Sequence, residues 1–334
     1  MATIEQKPQE QEAVPVQYPD IDPAFRERIN AIYHEWLETK RDFGSAKQAF
    51  AELLKEAESD TNLIHQGGVH NIMGVMNGYR GNYDECIQYF EKARALYEQA
   101  GALPRIASCD LNLGETYRML GNFTRARSYF HKAYEAGKTL KRINTQVIAL
   151  TNEGQMWLSL NSVEKARSTL EEALTLVHTP WGDPEVDADR NNRYGMICEI
   201  HHAMVEIHLA EGNPFGAWQH AITTLEYAEK TAQPNRLGYA NRALGNVLTA
   251  LDEPLDEEYN SDPDVYFGKA LENFRQVKAE AEVGKTLFAQ GKSFAKRGCR
   301  NSAGRLFQQA MVIFGKLGMT DDAAKAAEEQ LRVI

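Results

Sequence analysis

Large apolar residues recur along this chain at a spacing of 40 residues, and this period limits its fold more than any other feature. A column of small residues lies four positions before them. The first column contains Phe50, Phe90, Phe130 and Leu170, and the second contains Ala46, Cys86, Ala126 and Ala166. Because one such unit cannot bury its own apolar face, the units must stack on one another. The period therefore predicts a solenoid.

Glycine or asparagine marks two positions in each of three consecutive units. Both residues adopt the left-handed backbone conformation at low cost, so the first helix is predicted to end at Gly81, Gly121 and Asn161. Seven residues earlier, inside the first helix, lie Gly74, Gly114 and Gly154. Glycine there costs about 1 kcal/mol relative to alanine. We expect close contact between helices to offset that cost.

The third unit resembles the tetratricopeptide repeat family in the order and spacing of its residues. The matching residues are Gly114, Tyr117, Gly121, Asn122, Phe123, Ala126, Phe130 and Ala133. The resemblance covers about residues 24 to 330, and the 40-residue period is that of the extended variety. It implies an all-α, right-handed superhelical solenoid of antiparallel helix pairs (TPR-like). From the sequence we count about seven pairs, plus a C-terminal capping helix from Asp321 to Val333.

The acidic residues are concentrated outside the repeats, and the formal net charge is -10. Residues 1–23 are predicted to form a disordered acidic tail, and residues 24–334 a single solenoid. Insertions interrupt the solenoid near 178–193 and 252–265, and we expect the second to be an exposed acidic loop. The repeats lack the concentrated positive charge of nucleic-acid binders, so no nucleic-acid partner is expected.

Other classes of function leave few signs in the sequence. No apolar run approaches the roughly 20 residues of a membrane span, and the start lacks a signal peptide, so we expect a cytoplasmic protein without a membrane partner. No nucleophile motif is present, so we predict no enzyme and no cofactor. Cys198 and His202 supply only two metal ligands where structural zinc needs four, so no metal site is predicted.

The resemblance implies that the first helices of successive units line a concave groove in which a ligand peptide lies. Counting from the glycine column, the partner-binding residues are Asn71, Glu115, Arg118, Gln155, Glu199, His202, Glu206, Arg242, Asn246, Lys285, Lys292 and Lys296, with Thr151 and Tyr239 beside them. The sign of the charge changes along this set. We expect the basic residues at the C-terminal end to converge and to favour an acidic segment of the partner.

The sequence therefore favours a non-enzymatic protein-protein interaction module that binds a peptide or partner protein in its groove, as a scaffold or assembly factor. One alternative is a signal-peptide-sensing regulator, like the extended-repeat bacterial regulators that change superhelix when a peptide binds. The other is a small-molecule binder or enzyme whose site is formed by the insertions, with Trp181 as a lid.

Overall fold

The computed structural model describes residues 17–38, 43–182, 186–251 and 258–333. These residues form fifteen α-helices and no β-strand. The helices are α1 (Pro23–Glu38), α2 (Phe43–Ser59), α3 (Leu63–Tyr79), α4 (Tyr83–Gln99), α5 (Leu103–Met119), α6 (Phe123–Thr139), α7 (Ile143–Ser159), α8 (Val163–Val177), α9 (Asp187–Ala210), α10 (Pro214–Thr231), α11 (Pro234–Ala250), α12 (Pro263–Gln276), α13 (Glu280–Lys296), α14 (Arg300–Lys316) and α15 (Thr320–Val333).

The helices follow one another as seven antiparallel pairs, and α15 packs on the last pair. From α3 to α8 a new helix begins every 20 residues, so the 40-residue period of the sequence is one helix pair. Gly81, Gly121 and Asn161 lie in the turns within pairs, with φ of 75°, 72° and 53°. The predicted number of pairs, the cap and the helix-ending residues are confirmed.

The predicted glycines Gly74, Gly114 and Gly154 each lie against a large side chain of the second helix of their pair. A Cβ atom at Gly74 would lie 2.6 Å from the Phe90 ring, and one at Gly114 would lie 2.5 Å from the Phe130 ring. Contacts this short leave no room for any side chain. The large apolar column and the internal glycines are therefore two halves of one contact, as the sequence predicted.

The odd-numbered helices form the inner layer of the solenoid. From α1 to α15 each odd-numbered helix contacts the next odd-numbered one, whereas successive even-numbered helices are held further apart. A stack of pairs with this difference between its layers curves toward the closer layer. The concave surface is therefore built from α3, α5, α7, α9, α11 and α13.

The curvature brings the two ends of the solenoid into contact. Lys278, in the turn before α13, donates a hydrogen bond of 2.6 Å from Nζ to the carbonyl oxygen of Trp36 in α1. Its ammonium also lies 5.7 Å from the Trp36 ring centroid. In a second contact, a Cβ at Gly81 would lie 3.3 Å from the Leu317 side chain, after α14. The first two pairs therefore meet the last two and enclose the groove.

We predict that Lys278→Glu opens the solenoid, because a carboxylate cannot donate to the Trp36 carbonyl and is repelled by it. One such hydrogen bond is worth about 1 kcal/mol, or roughly a fivefold shift toward open molecules. Small-angle X-ray scattering should show a larger radius of gyration than in the wild type. The exposed Lys47 provides a control, and Lys47→Glu should leave the scattering unchanged. Identical scattering for all three proteins would mean that this contact does not hold the ends together.

Some residues of the predicted tail and insertions lie within the described part of the chain. Residues 1–16, 183–185 and 252–257 lie outside the described residues. Within the tail, Ile21 is buried and Asp20 accepts a 2.6 Å hydrogen bond from Arg105 Nε, so the end of the predicted disordered tail packs on the solenoid. Helix α9 begins inside the first insertion, and α12 begins inside the second. These two predicted loops are therefore shorter than the sequence indicated.

Candidate functional site

Arg118 of α5 connects several helix pairs on the inner surface. Its guanidinium forms two bonds with Glu115, at 2.7 Å from Nε and 2.6 Å from Nη2. Burial alone would lower the pKa of Arg118, but the carboxylates of Glu115 and of Glu206 on α9 raise it above its ordinary value. The Tyr239 hydroxyl on α11 acts in the same direction. The third, fifth and sixth pairs therefore face one another across the groove.

Glu282 of α13 holds two of the predicted basic residues. Its carboxylate lies 2.6 Å from Arg242 Nη1 and 2.8 Å from Lys285 Nζ. The Arg242 guanidinium lies 5.2 Å from the ring centroids of Tyr239 and Phe274, so it is stacked as well as paired. Burial would raise the pKa of Glu282, but the two cations hold it well below its ordinary value. The carboxylate is therefore ionised, and both cations are already satisfied within the protein.

Glu199 of α9 shows how enclosed the groove is. Its side chain keeps 42% of its surface accessible to water and lies 3.7 Å from Arg236. Even so, burial raises its pKa above the ordinary value, against the opposite effect of Arg236. A carboxylate that water reaches but that protein surrounds is disfavoured in its charged form. This combination is typical of a side chain on the concave surface of a solenoid.

Glu206, one turn of α9 beyond His202, is the most weakly paired of the inner carboxylates. Its closest basic atom is His202 Nε2 at 3.8 Å. The His202 ring packs on Tyr239 with centroids 5.3 Å apart, and burial lowers its pKa, so the ring is neutral at pH 7. Glu206 is half exposed and makes no ion pair with Lys or Arg among the described residues. It therefore retains capacity for an incoming cation.

The four predicted basic residues do not converge. Arg242 and Lys285 share Glu282, whereas Lys296 donates 2.6 Å and 3.2 Å hydrogen bonds to the carbonyl oxygens of Thr249 and Ala250 at the end of α11. Lys292 is exposed, with its ammonium 5.9 Å from the Phe288 ring centroid. The expectation of one continuous basic end is corrected, because an inner carboxylate and the end of a helix divide the cations.

The amide side chains predicted for the groove lie at its two ends and in its middle. Asn71 Oδ1 accepts a 3.1 Å hydrogen bond from Asn112 Nδ2 on the next odd-numbered helix. Gln155 and Asn246 are half buried on α7 and α11. Thr151 is buried and donates to the Val147 carbonyl, so it supports α7 and does not line the groove.

Glu282 and Arg236 were missed by the sequence analysis. Both lie near the start of a first helix, outside the positions counted from the glycine column. Glu282 precedes Lys285 by three residues, a spacing at which helix side chains interact. Applying that rule to every predicted cation finds this pair, whereas the contact with Arg242 joins different helices and needs the structure.

The predicted lid residue Trp181 packs between two successive helix pairs, the fourth and the fifth. Its indole Nε1 donates to the Val177 carbonyl oxygen at 3.3 Å, and the Arg193 guanidinium lies 4.8 Å from its ring centroid while donating to the Trp181 carbonyl. The side chain thus joins the end of α8 to the start of α9. None of the described helices is long and apolar enough to cross a membrane.

Comparison with known proteins agrees with this architecture. The sequence profile of the tetratricopeptide repeat matches residues 68–139. A search of curated protein sequences finds no significant match.

Several solved structures share the fold at low sequence identity. Aspartyl phosphate phosphatase F from Bacillus subtilis is 16% identical, with a TM-score of 0.65 over 86% of this chain and 70% of that one. The Rap conjugation gene regulator of plasmid pLS20, in complex with the Phr* peptide, is 14% identical. The match has a TM-score of 0.65 and covers 90% of this chain and 76% of the regulator. The apo form of RapI is 12% identical. The match has a TM-score of 0.61 and covers 89% of this chain and 99% of RapI. Residues 68–139 thus carry the sequence signature of the tetratricopeptide repeat, and the described residues form a solenoid of helix pairs like those of these solved structures.

Proposed function

We propose that this chain is a non-enzymatic interaction module that binds a peptide, or a peptide segment of a partner protein, in the groove of its inner layer. The observation that carries the proposal is the convergence of charged side chains from α5, α9, α11 and α13 in a space that water still reaches. Such a space offers ion pairs and hydrogen bonds in surroundings that strengthen both.

The groove is suited to an extended peptide. The charges that act on Arg118 come from α9 and α11 as well as from α5, so a bound chain would lie among polar side chains of several helices. An extended chain also exposes its amide groups, which need partners when buried. The half-buried amide groups of Gln155 and Asn246 are suited to that role.

The charge of the peptide follows from which inner groups remain available. Arg242 and Lys285 are satisfied by Glu282, so they offer little to an acidic segment. Glu206 is half exposed beside a neutral His202 and the Tyr239 ring. A carboxylate next to aromatic faces suits a cation. We propose that the peptide places a basic side chain or an amino terminus at Glu206, in place of the acidic partner expected from sequence.

Replacing Glu206 with glutamine tests this proposal. Peptides selected from a random display library on the purified wild-type protein should contain a basic residue and bind Glu206→Gln about 10- to 100-fold more weakly. Raised salt should narrow that difference. Glu272, an exposed residue of the outer helix α12, provides the matched control, and Glu272→Gln should bind as the wild type does. Equal binding by Glu206→Gln would exclude Glu206 from recognition.

A second candidate, a peptide-sensing regulator, is favoured by the contact between the ends of the solenoid. The ends of the solenoid meet at small contacts, such as those of Lys278 with Trp36 and of Leu317 with Gly81. A bound ligand could therefore shift the balance between closed and open molecules. Similar solved structures include the quorum sensor NprR from B. thuringiensis and the Rap regulator with its Phr* peptide. A selected peptide should then change the radius of gyration of the wild type. An unchanged radius at saturation favours the passive scaffold.

A further inference from the structure

Three histidines form a cluster between α9 and α10, on another part of α9 from the groove. His201 Nδ1 and His220 Nδ1 lie 2.8 Å apart, and the two ring centroids are 4.9 Å apart. The His208 ring stacks on the His220 ring, with the two centroids 5.2 Å apart and the planes 19° apart. We call His201, His208 and His220 the histidine cluster.

The contact between the two Nδ1 atoms fixes the protonation of the pair. A hydrogen bond needs a proton on one Nδ1 and a lone pair on the other, so one ring must be the Nδ1–H tautomer and the other the Nε2–H tautomer. One additional proton on an outer Nε2 leaves this bond in place. A second additional proton puts hydrogen on both Nδ1 atoms, and the contact is then repulsive.

The surroundings of the cluster also oppose protonation. Burial lowers the pKa of all three rings, and the pKa of His201 falls to about 4 with further contributions from His220 and from His178 at the end of α8. Arg167 of α8 lowers the pKa of both His208 and His220.

One carboxylate faces the cluster. Glu211 after α9 lies 3.7 Å from His208 Nδ1 but also binds Arg167, through oxygens 2.5 Å and 2.6 Å from its Nη2. Its negative charge is therefore largely used by Arg167. The groups facing the cluster from α8 and α9 thus include one further histidine, one arginine cation and a carboxylate that is already paired with that arginine.

We propose that the histidine cluster is a proton-operated joint that closes the fifth helix pair when its rings are neutral and loosens it when they are protonated. The folded state binds fewer protons here than the unfolded or opened state. Because each folded pKa is depressed, the stabilisation is complete above the ordinary value of 6.5 and is lost as the pH falls from 6.5 toward 4.

The position of the joint connects it to the groove. His201 is followed directly by His202, and α9 also carries Glu199 and Glu206 on the groove. Loosening of α9 against α10 therefore displaces inner carboxylates. This consequence, weaker peptide binding in acid, rests on the proposed function, whereas the joint itself does not. The test is made on the protein without peptide, so that the two can fail separately.

Nuclear magnetic resonance of the histidine rings tests the joint directly. At pH 7.5 one ring of the His201 and His220 pair should be the Nδ1–H tautomer, and both rings should titrate below the ordinary value of 6.5. Amide hydrogen exchange in α9 and α10 should increase at pH 5 relative to α5 and α6, after correction for the intrinsic rates. Titration of His201 and His220 near the ordinary value of 6.5 would overturn the proposal.

A variant that retains the ring shape gives a second test. As the pH falls from 6 to 4.5, the unfolding equilibrium constant should rise more steeply in the wild type than in His201→Phe. The difference should be up to about tenfold per pH unit. His131→Gln, which removes a histidine from the surface of α6, should keep the wild-type slope. Equal slopes for the wild type and His201→Phe would contradict the proposal, and if His201→Phe does not fold, the ring titration decides alone.

Discussion

Replacing Glu282 with glutamine is expected to destabilise the protein by about 3–5 kcal/mol, because it leaves the buried Arg242 and the partly buried Lys285 without their shared counter-ion. Arg242 is only 9% exposed and Lys285 is 31% exposed, so neither can turn fully into water when the carboxylate is removed. Glutamine has nearly the same shape, so the loss reports charge and not packing. Urea unfolding followed by circular dichroism measures it.

An exposed ion pair of the same type provides the control for this experiment. Glu329 lies 2.6 Å from Arg332, whose side chain is 67% exposed. Glu329→Gln should change the free energy of unfolding by less than about 1 kcal/mol. A loss for Glu282→Gln as small as that of the control would show that the inner ion pairs are weak, and would remove the argument that the groove strengthens electrostatic contacts.

The same variant makes a prediction about pH. The folded pKa of Glu282 is below its ordinary value of 4.5, so its stabilisation is fully present above pH 4.5 and is lost as the pH falls further. The wild type should therefore lose more free energy of unfolding between pH 6 and 3 than Glu282→Gln. Parallel losses in the two proteins would show that Glu282 has an ordinary pKa in the folded state.

Replacing Gly114 with leucine is expected to cost about 1–3 kcal/mol from overpacking. The Phe130 ring occupies the position where a side chain at Gly114 would start, 2.5 Å from the added Cβ, and Phe130 is itself fully buried. The ring cannot move aside without disturbing the next pair. The thermal midpoint of unfolding should fall accordingly.

Gly268 separates this packing effect from the general effect of removing a glycine from a helix. It lies within α12 with no atom near an added Cβ, and its backbone is helical. Gly268→Leu should therefore be neutral or slightly stabilising, since leucine favours helix more than glycine does. A fall in midpoint of equal size for both variants would contradict the close contact between α5 and α6.

The sequence was sufficient for features that repeat. The apolar column and the glycines at Gly74, Gly114 and Gly154 predicted which residues pack together inside a pair, because each contact lies within one unit. The number of pairs followed from the same period. The ends of helices next to the insertions were less accurate, because the polar residues that begin α9 do not follow the repeat.

Contacts between distant units are outside the reach of a periodic pattern. The hydrogen bond from Lys278 to Trp36 joins residues 242 positions apart, and nothing in either local sequence specifies the other. The same holds for the contact of Glu282 with Arg242, which joins different helices. Curvature accumulates over all seven pairs, so the enclosure of the groove can be found only from the assembled structure.

Cross-linking from a bound peptide is the most direct test of whether the peptide lies in the groove of the inner layer. A peptide selected on the purified protein carries a photoreactive group in place of one residue, and mass spectrometry identifies the residues it captures after irradiation. We predict cross-links on the inner surfaces of α5, α9 and α11, close to Glu115, Glu206 and Tyr239. These cross-links should be lost in Glu206→Gln. Cross-links confined to the outer helices α4, α6 and α8 would contradict it.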